Sequence, residues 1–571
     1  MSESTTYLAP KLTFLSEEFH PDSFEVIKLE AEKIISFNPS SVAEWENWVL
    51  WRSEWESVIA EESLNRMYAS VCRTNDADLE KAHLEYQTEI LPKVQSLEDA
   101  LDRKYLKSPF REELANRGLF VYDRSIALGV ELFREENIPL QAEEEKLSSE
   151  YTRTIGAMTV EFEGEEMTLP AMTKYLESPV QKLREKAFRL TAERRLQDKD
   201  RLNDIFQKML DLRHQIALNA GFDNYRDYMH RAKERFDYTP KDCQIFGDNV
   251  KRYVLPILKS WNKEREKKLG LKKIRPWDTA VDPSGANAFE PFKDTDQHVA
   301  IAAQLMSAVS PQFGSDLKWL YAQGLLDLDT RPHKGPGGFM DNLEKRRVPV
   351  IFANSGTTHS DIETLVHEGG HAINGLLSRH LEPMAYRNPP LEFAEVASMG
   401  LEAMAMEHLG EVYPEKEVSR VRRDSLEGML STFSWVAIID GFQQWLYTNP
   451  GHNLDERTSA WLDICESYNP GVDWSGLEEE YSSLWHRTLH LFQVPFYYIE
   501  YAIAQMGAIQ LWLNYKNNQE SCVKAYCSAL SLGGSKTLPE LFSAAGLSFD
   551  PQGEGLQDWA PAVAQERSAL L

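Results

Sequence analysis

Apolar residues recur at intervals of three and four along most of the chain, the spacing that puts them on one face of a helix. From Ser40 to about Asn75 the stripe is aromatic: Trp45, Trp48, Trp51 and Trp55, with acidic residues between them, predict a helix with a buried indole face. A second helical run follows from Asp76 to about Leu106, where Pro92 marks a kink and Pro109 a stop. Val180 to Leu218 is charged and helical, ending near Gly221. Alternation with period two appears at Met158–Glu163 and Glu166–Leu169 around Gly164, which predicts a short hairpin at a lobe boundary. Pro and Gly concentrate in two loops, Leu269–Lys293 and Arg331–Asp341, and the second leads into an apolar β-type run at Arg347–Asn354. The pattern predicts a mainly α protein with a small β element.

The chain has 571 residues and a mass of 65.5 kDa, which predicts two lobes or one large multilobed body. Its aromatic fraction of 11 % is enough for a substantial core. With 62 basic against 89 acidic residues, the net charge of -27 repels phosphate backbones and anionic lipid, so neither nucleic acid nor a membrane surface is an expected partner. Five scattered cysteines, Cys72, Cys243, Cys465, Cys522 and Cys527, do not form a disulfide framework. The start MSESTTYLAPKLTF lacks a basic, apolar leader. The most apolar stretch, Phe496–Leu513, contains Glu500 and two glutamines and reads as a buried helix. A cytoplasmic protein is expected.

The chemistry concentrates at His367-Glu368-Gly369-Gly370-His371. Residues four apart share a helix face, so both imidazoles can reach one zinc ion with Glu368 beside them as general base. Ser360 and Glu363 form a capping-box pattern, and Ile362, Leu365, Val366, Ile373 and Leu376 supply an apolar face. Each glycine inside the helix costs about 1 kcal/mol relative to alanine, which points to another backbone packed close by. A catalytic zinc needs a third protein ligand and an open position. After Pro389-Pro390, the helix from Leu391 carries Glu395 and Glu402 two turns apart on one side. Spacing alone allows either to ligate while the other orients a histidine.

These motifs, with the Arg213–Tyr228 segment, Leu269-Gly270 through Trp277-Asp278, the Thr364–Glu368 approach and the Phe393-Ala394-Glu395 element, resemble the thimet oligopeptidase and oligoendopeptidase F family of zinc metallopeptidases. The resemblance covers the last two thirds of the chain. It implies an N-terminal helical lobe at 1–155 and a catalytic region at 156–571, with the zinc core at about 340–510, in a two-lobed helical body around a deep channel. It makes Glu395 the third ligand and leaves Glu402 to support a ligand. Gly369 stands where the family usually has a bulky residue, and Asn374 where it often has histidine. The resemblance further implies a histidine and tyrosines above the metal, for which His490, Tyr498 and Tyr501 are the candidates, with Tyr497 competing with Tyr498.

The implied reaction is hydrolysis of internal bonds in short unfolded peptides by a zinc-activated water, with Glu368 as base and the tyrosine hydroxyls holding the oxyanion. Val348–Asn354 is expected to be an edge strand that pairs with substrate, and Gly337 and Gly338 to lie in a covering loop. Two alternatives share these residues: a zinc carboxypeptidase, which a blocked peptide C-terminus would stop, and a silent zinc-containing peptide-binding protein. The presence of Glu368 argues against the second.

Overall fold

The tryptophan stripe lies in a helix spanning Val42–Cys72, where Trp45, Trp48 and Trp55 are buried and Trp51 is half-buried. A buried indole needs an acceptor for its N–H. Trp48 donates to the Ile34 carbonyl at 2.8 Å and Trp55 to that of Ile27 at 3.2 Å, which fixes this helix against the one at Phe24–Ser36. The computed structural model describes residues 7–286, 289–331, 333–335 and 337–570. The first six residues, and Pro336 of the glycine-rich loop, lie outside the described residues. At Pro92 the second helical run widens into one π turn, Tyr86–Ile90, between helices Ala77–Glu85 and Leu91–Leu106. A proline cannot donate to the preceding turn, and the wider turn accommodates it.

The chain is mainly helical, with five short strands among the described residues. β1 (Thr159–Phe162) and β2 (Glu165–Thr168) form the hairpin, turning through Glu163 and Gly164 at φ of 55° and 88°. Two positive φ angles define the tight turn that matches strand twist. β3 (Leu326–Asp329), β4 (Phe339–Leu343) and β5 (Val348–Ser355) form a second sheet in the order β3-β5-β4. β5 is therefore central, parallel to β3 and antiparallel to β4, and the expectation that Val348–Asn354 is an edge strand is wrong. Its residues Val348–Ala353 are buried in succession, as in a strand covered on both faces.

Two compact units emerge, each assembled from three chain segments. The first comprises Met1–Glu135, Pro291–Val418 and Gly507–Phe549; the second comprises Glu136–Glu290, Ser419–Met506 and Asp550–Leu571. A division at residue 155 does not describe this packing, and the hairpin lies inside the second unit rather than at a boundary. The difference arises because contacts distant in sequence complete each unit, and helical periodicity carries no record of them. No described helix is long and apolar enough to cross a membrane.

Candidate active site

In the first unit, β5 leads into the helix His359–Ser378, which carries the HExxH residues. The helix begins just before Ser360: Asp361 accepts from the Thr358 N–H at 2.8 Å and from its hydroxyl at 2.9 Å, so the capping box is Thr358–Asp361 rather than Ser360–Glu363. Asp361 also accepts from the Gly356 N–H at 2.9 Å, a third contact that the Glu363 register would forgo. Ile362, Leu365, Val366, Ile373 and Leu376 are all buried. That burial fixes the rotation of the helix and so the direction of His367 and His371.

The helix Leu391–Ala405 packs along the HExxH helix, and Gly370 makes the approach possible. A Cβ at position 370 would lie 2.6 Å from Ser398 Cα and 2.7 Å from the Ala397 carbonyl oxygen. At position 369 it would meet the Met306 thioether at 2.9 Å, so Met306 extends into the space a larger residue there would claim. The close backbone contact expected from the glycines therefore occurs at Gly370, while Gly369 faces a side chain.

This approach brings Glu395 to both histidines. Its Oε2 lies 3.5 Å from His367 Nε2 and 3.6 Å from His371 Nε2, and one ligand atom from each residue falls within 4.8 Å of the others. Tetrahedral zinc with bonds of about 2.05 Å holds its ligand atoms about 3.3 Å apart, so the trio fits such an ion with one position remaining. Ser398 Oγ lies 3.1 Å from Glu395 Oε2 and orients the carboxylate. Glu402 reaches His367 from behind, 2.5 Å from Nδ1, which leaves Nε2 directed at the trio. Glu395 and Glu402 thus touch opposite nitrogens of one ring.

The electrostatics follow from burial. Glu368 is buried, which with the Glu395 and Glu402 charges raises its carboxyl to about 7, against the opposing effects of His367 and the Met340 amide of β4. Burial lowers His371 to about 4. Burial would lower His367 too, but the Glu402 charge and hydrogen bond outweigh it and raise the ring to about 9. A cation among the three donors displaces the extra proton of His367, because ligation requires the unprotonated nitrogen, and finds His371 already unprotonated. Replacing Glu402 with alanine should weaken metal binding by about 10–100-fold, read by competition with a chromophoric chelator. Wild-type affinity in that variant would show that the His367–Glu402 contact does not orient the ring.

In the second unit, His490, Tyr497, Tyr498 and Tyr501 cluster. Tyr501 Oη lies 3.3 Å from His490 Nε2, and the His490 ring centroid is 4.8 Å from that of Tyr498 and 5.6 Å from that of Tyr497. Trp435 Nε1 donates to the Tyr498 hydroxyl at 3.3 Å, while the Tyr497 ring lies 5.1 Å from Lys233 Nζ. Two buried arginines hold the intervening backbone. Arg213 donates to the Leu491 carbonyl at 2.9 Å and to that of Phe492; Arg235 donates to the Phe496 carbonyl and, at 2.8 Å, to Glu500. Phe496, at φ 63°, also donates its N–H to Gln443 at 2.6 Å.

Gly337 and Gly338 lie just before β4 in the first unit. The loop is tied down, since Asn354 Nδ2 donates to the Gly335 and Gly337 carbonyls at 2.7 and 3.0 Å.

A sequence profile described as peptidase family M3 matches residues 174–559, well over half of the chain. The chain belongs to peptidase family M3. Among its relatives, an oligoendopeptidase F homolog of Borreliella burgdorferi is 22 % identical over 72 % of this chain and 72 % of its own length. The oligopeptidase PepF of Bacillus subtilis is 24 % identical over 53 % of this chain and 45 % of its own. Among solved structures, PZ peptidase A with an inhibitor superposes with a TM-score of 0.91 at 25 % identity, covering 98 % of this chain and 99 % of that one. A protein assigned as oligoendopeptidase F gives 0.90 at 25 % identity, covering 98 % of each. Membership of family M3 makes the chain a metallo-oligopeptidase, an endopeptidase acting on short peptides.

The sequence pattern of this M3 peptidase assigns no task to Arg213, which the structure uses to hold the Leu491 and Phe492 carbonyls. The signal was present. Phe206, Met209, Leu210, Ile216 and Ala217 mark the buried face of the helix Lys199–Asn219, and Arg213 falls on that same stripe. A charge on an apolar face must be paired and hydrogen-bonded, and here it is, with Glu144 at 2.6 Å.

Proposed function

We propose that this M3 peptidase uses zinc held by His367, His371 and Glu395, with Glu368 as general base and proton shuttle. The observation that carries the reading is the donor trio, with Glu395 Oε2 at 3.5 and 3.6 Å from the two Nε2 atoms and Glu368 on the helix of the two histidines. When bound, zinc supplies Lewis acidity, making a water nucleophilic near neutral pH and polarising the peptide carbonyl. Glu368 takes the proton from the attacking water and passes it to the leaving amine; its burial favours a carboxyl able to do both near neutrality. Glu402 fixes the His367 ring throughout. Tyr498 and Tyr501 serve as donors to the developing oxyanion, with His490 supporting Tyr501.

Substrate backbone pairs with β4 in place of β5. Among the described residues β4 has a partner strand on one side only; it follows directly on Gly337 and Gly338 and places its Met340 amide against Glu368. Substrates are short peptides, and the cytoplasm is the site of action, a location supported by five unpaired cysteines.

Digestion of a peptide library, mapped by mass spectrometry with and without a chelator, tests the scheme. Cuts at internal bonds should vanish on metal removal and return with one equivalent of zinc. Undiminished cutting by metal-stripped protein would refute the metal, and removal of C-terminal residues alone would favour the carboxypeptidase alternative.

A further inference from the structure

Five residues other than glycine hold a positive φ among the described residues. Glu163, Glu234, His333 and Arg347 are not buried, whereas Phe496, at φ 63°, is 2 % exposed. A side chain with a Cβ is strained in this region, so the conformation persists only where its neighbours over-determine it. Here they do. The Phe496 N–H donates to Gln443 Oε1 at 2.6 Å, its carbonyl accepts from Arg235, and its ring centroid lies 5.3 Å from that of Tyr447.

Gln443 is 0 % exposed, on a helix, Glu415–Thr448, whose buried residues include Ile439, Phe442 and Leu446. Its Nε2 meets no protein acceptor among the described residues, a cost that leucine or methionine of similar volume would avoid. What the amide adds is one bond, from its Oε1 to Phe496. Phe496 in turn is the elbow of the tyrosine cluster. His490 lies before it, in the helix Leu489–Gln493, and Tyr498 and Tyr501 lie after it, in the helix Tyr498–Asn517. Rotation of the Phe496 backbone swings the tyrosines against the histidine, and the 3.3 Å between Tyr501 Oη and His490 Nε2 is a distance across the elbow. Trp435, about two turns before Gln443 on the same helix, meets the Tyr498 hydroxyl at 3.3 Å. One helix thus holds both the elbow and a tyrosine beyond it.

We propose that Gln443 is a positioning residue for peptide hydrolysis: by holding Phe496 in the left-handed conformation it fixes Tyr498 and Tyr501 against His490. Fully buried, it acts through Phe496 and not on substrate. The proposal rests on the reading of these tyrosines as oxyanion donors, and all of its parts lie in the second unit.

Gln443→Met keeps the volume and removes the acceptor, which leaves a buried N–H unpaired and the left-handed conformation without its tether. In the metal-loaded variant kcat should fall about ten- to a hundredfold with KM little changed, as when groups that act only in the transition state are misaligned. Gln443→Asn, one methylene short of the Phe496 N–H, should behave alike, so the result does not depend on one substitution folding. Gln443→Glu, which keeps an acceptor at the same reach, should retain most of kcat. A readout independent of turnover is the NMR signal of the His490 imidazole in histidine-labelled protein, assigned with His490→Gln. Tyr501→Phe gives the shift that marks loss of the contact. Gln443→Met and Gln443→Asn should reproduce that shift while still binding one equivalent of metal. A His490 signal unmoved in both would overturn the proposal whatever their kcat. Full kcat in Tyr501→Phe, with Gln443→Met still shifting the signal, would be a failure of the oxyanion reading and not of the elbow.

Discussion

Glu368→Gln is expected to lower kcat for peptide hydrolysis by about 10²–10⁴-fold, the range attributed to a positioned general base, while zinc remains bound at one equivalent. The amide keeps the shape of the side chain but cannot accept the proton of the attacking water. A structural role for Glu368 predicts something different, and pH separates the two. Its folded carboxyl sits at about 7 against an ordinary 4.5, so keeping it ionised in the metal-free fold costs stability. That cost is absent below pH 4.5, grows as the pH rises through the window and is complete above 7. Metal-free Glu368→Gln should therefore match the wild type near pH 4 and exceed it at pH 8, by up to about 3 kcal/mol. A variant that loses turnover while gaining stability identifies a residue kept for chemistry. Turnover within tenfold of wild type, with zinc bound, would remove Glu368 from the mechanism.

How far the sequence carried the reading depends on the range of each cause. The tryptophan helix, the hairpin and the HExxH helix were legible because periodicity and turn residues act over a few positions. The cap of the HExxH helix was misplaced by two residues, since Thr358–Asp361 and Ser360–Glu363 satisfy the same pattern and only the Gly356 contact to Asp361 separates them. β5 shows no alternation between its faces, the mark of a covered strand, and its central place depends on pairing with β3 and β4, which periodicity does not record. The two carboxylates of the helix Leu391–Ala405 could not be told apart by spacing, because both lie on one side of it. What separates them is the contact at Gly370 and Ser398, which sets Glu395 against the Nε2 atoms and Glu402 behind His367. The two units were illegible for the same reason, being completed by segments hundreds of residues apart.

That contact makes Gly370→Ala the second large perturbation. The added Cβ would lie 2.6, 2.7 and 3.1 Å from backbone atoms of Ser398 and Ala397, where carbon atoms need about 3.5 Å or more. Backbone in the middle of a helix cannot rotate away, so the helix Leu391–Ala405 must retreat by roughly an ångström. Glu395 lies one turn before Ser398 on the same helix and retreats with it, whereas metal–ligand distances tolerate only about 0.2 Å. Alanine gains about 1 kcal/mol of helix propensity over glycine, which overpacking of about 1–3 kcal/mol offsets or exceeds. The larger loss should appear in zinc affinity, at least about tenfold, read by chelator competition. Gly369→Ala is the matched control, one residue away on the same helix. Its Cβ meets only the Met306 Cε and Sδ at 2.9 Å, the free end of a flexible thioether that can swing aside. The propensity gain then dominates, so Gly369→Ala should unfold at the wild-type temperature or above it and keep its zinc. Equal zinc affinity in both variants would show that the Gly370–Ser398 approach does not set the position of Glu395.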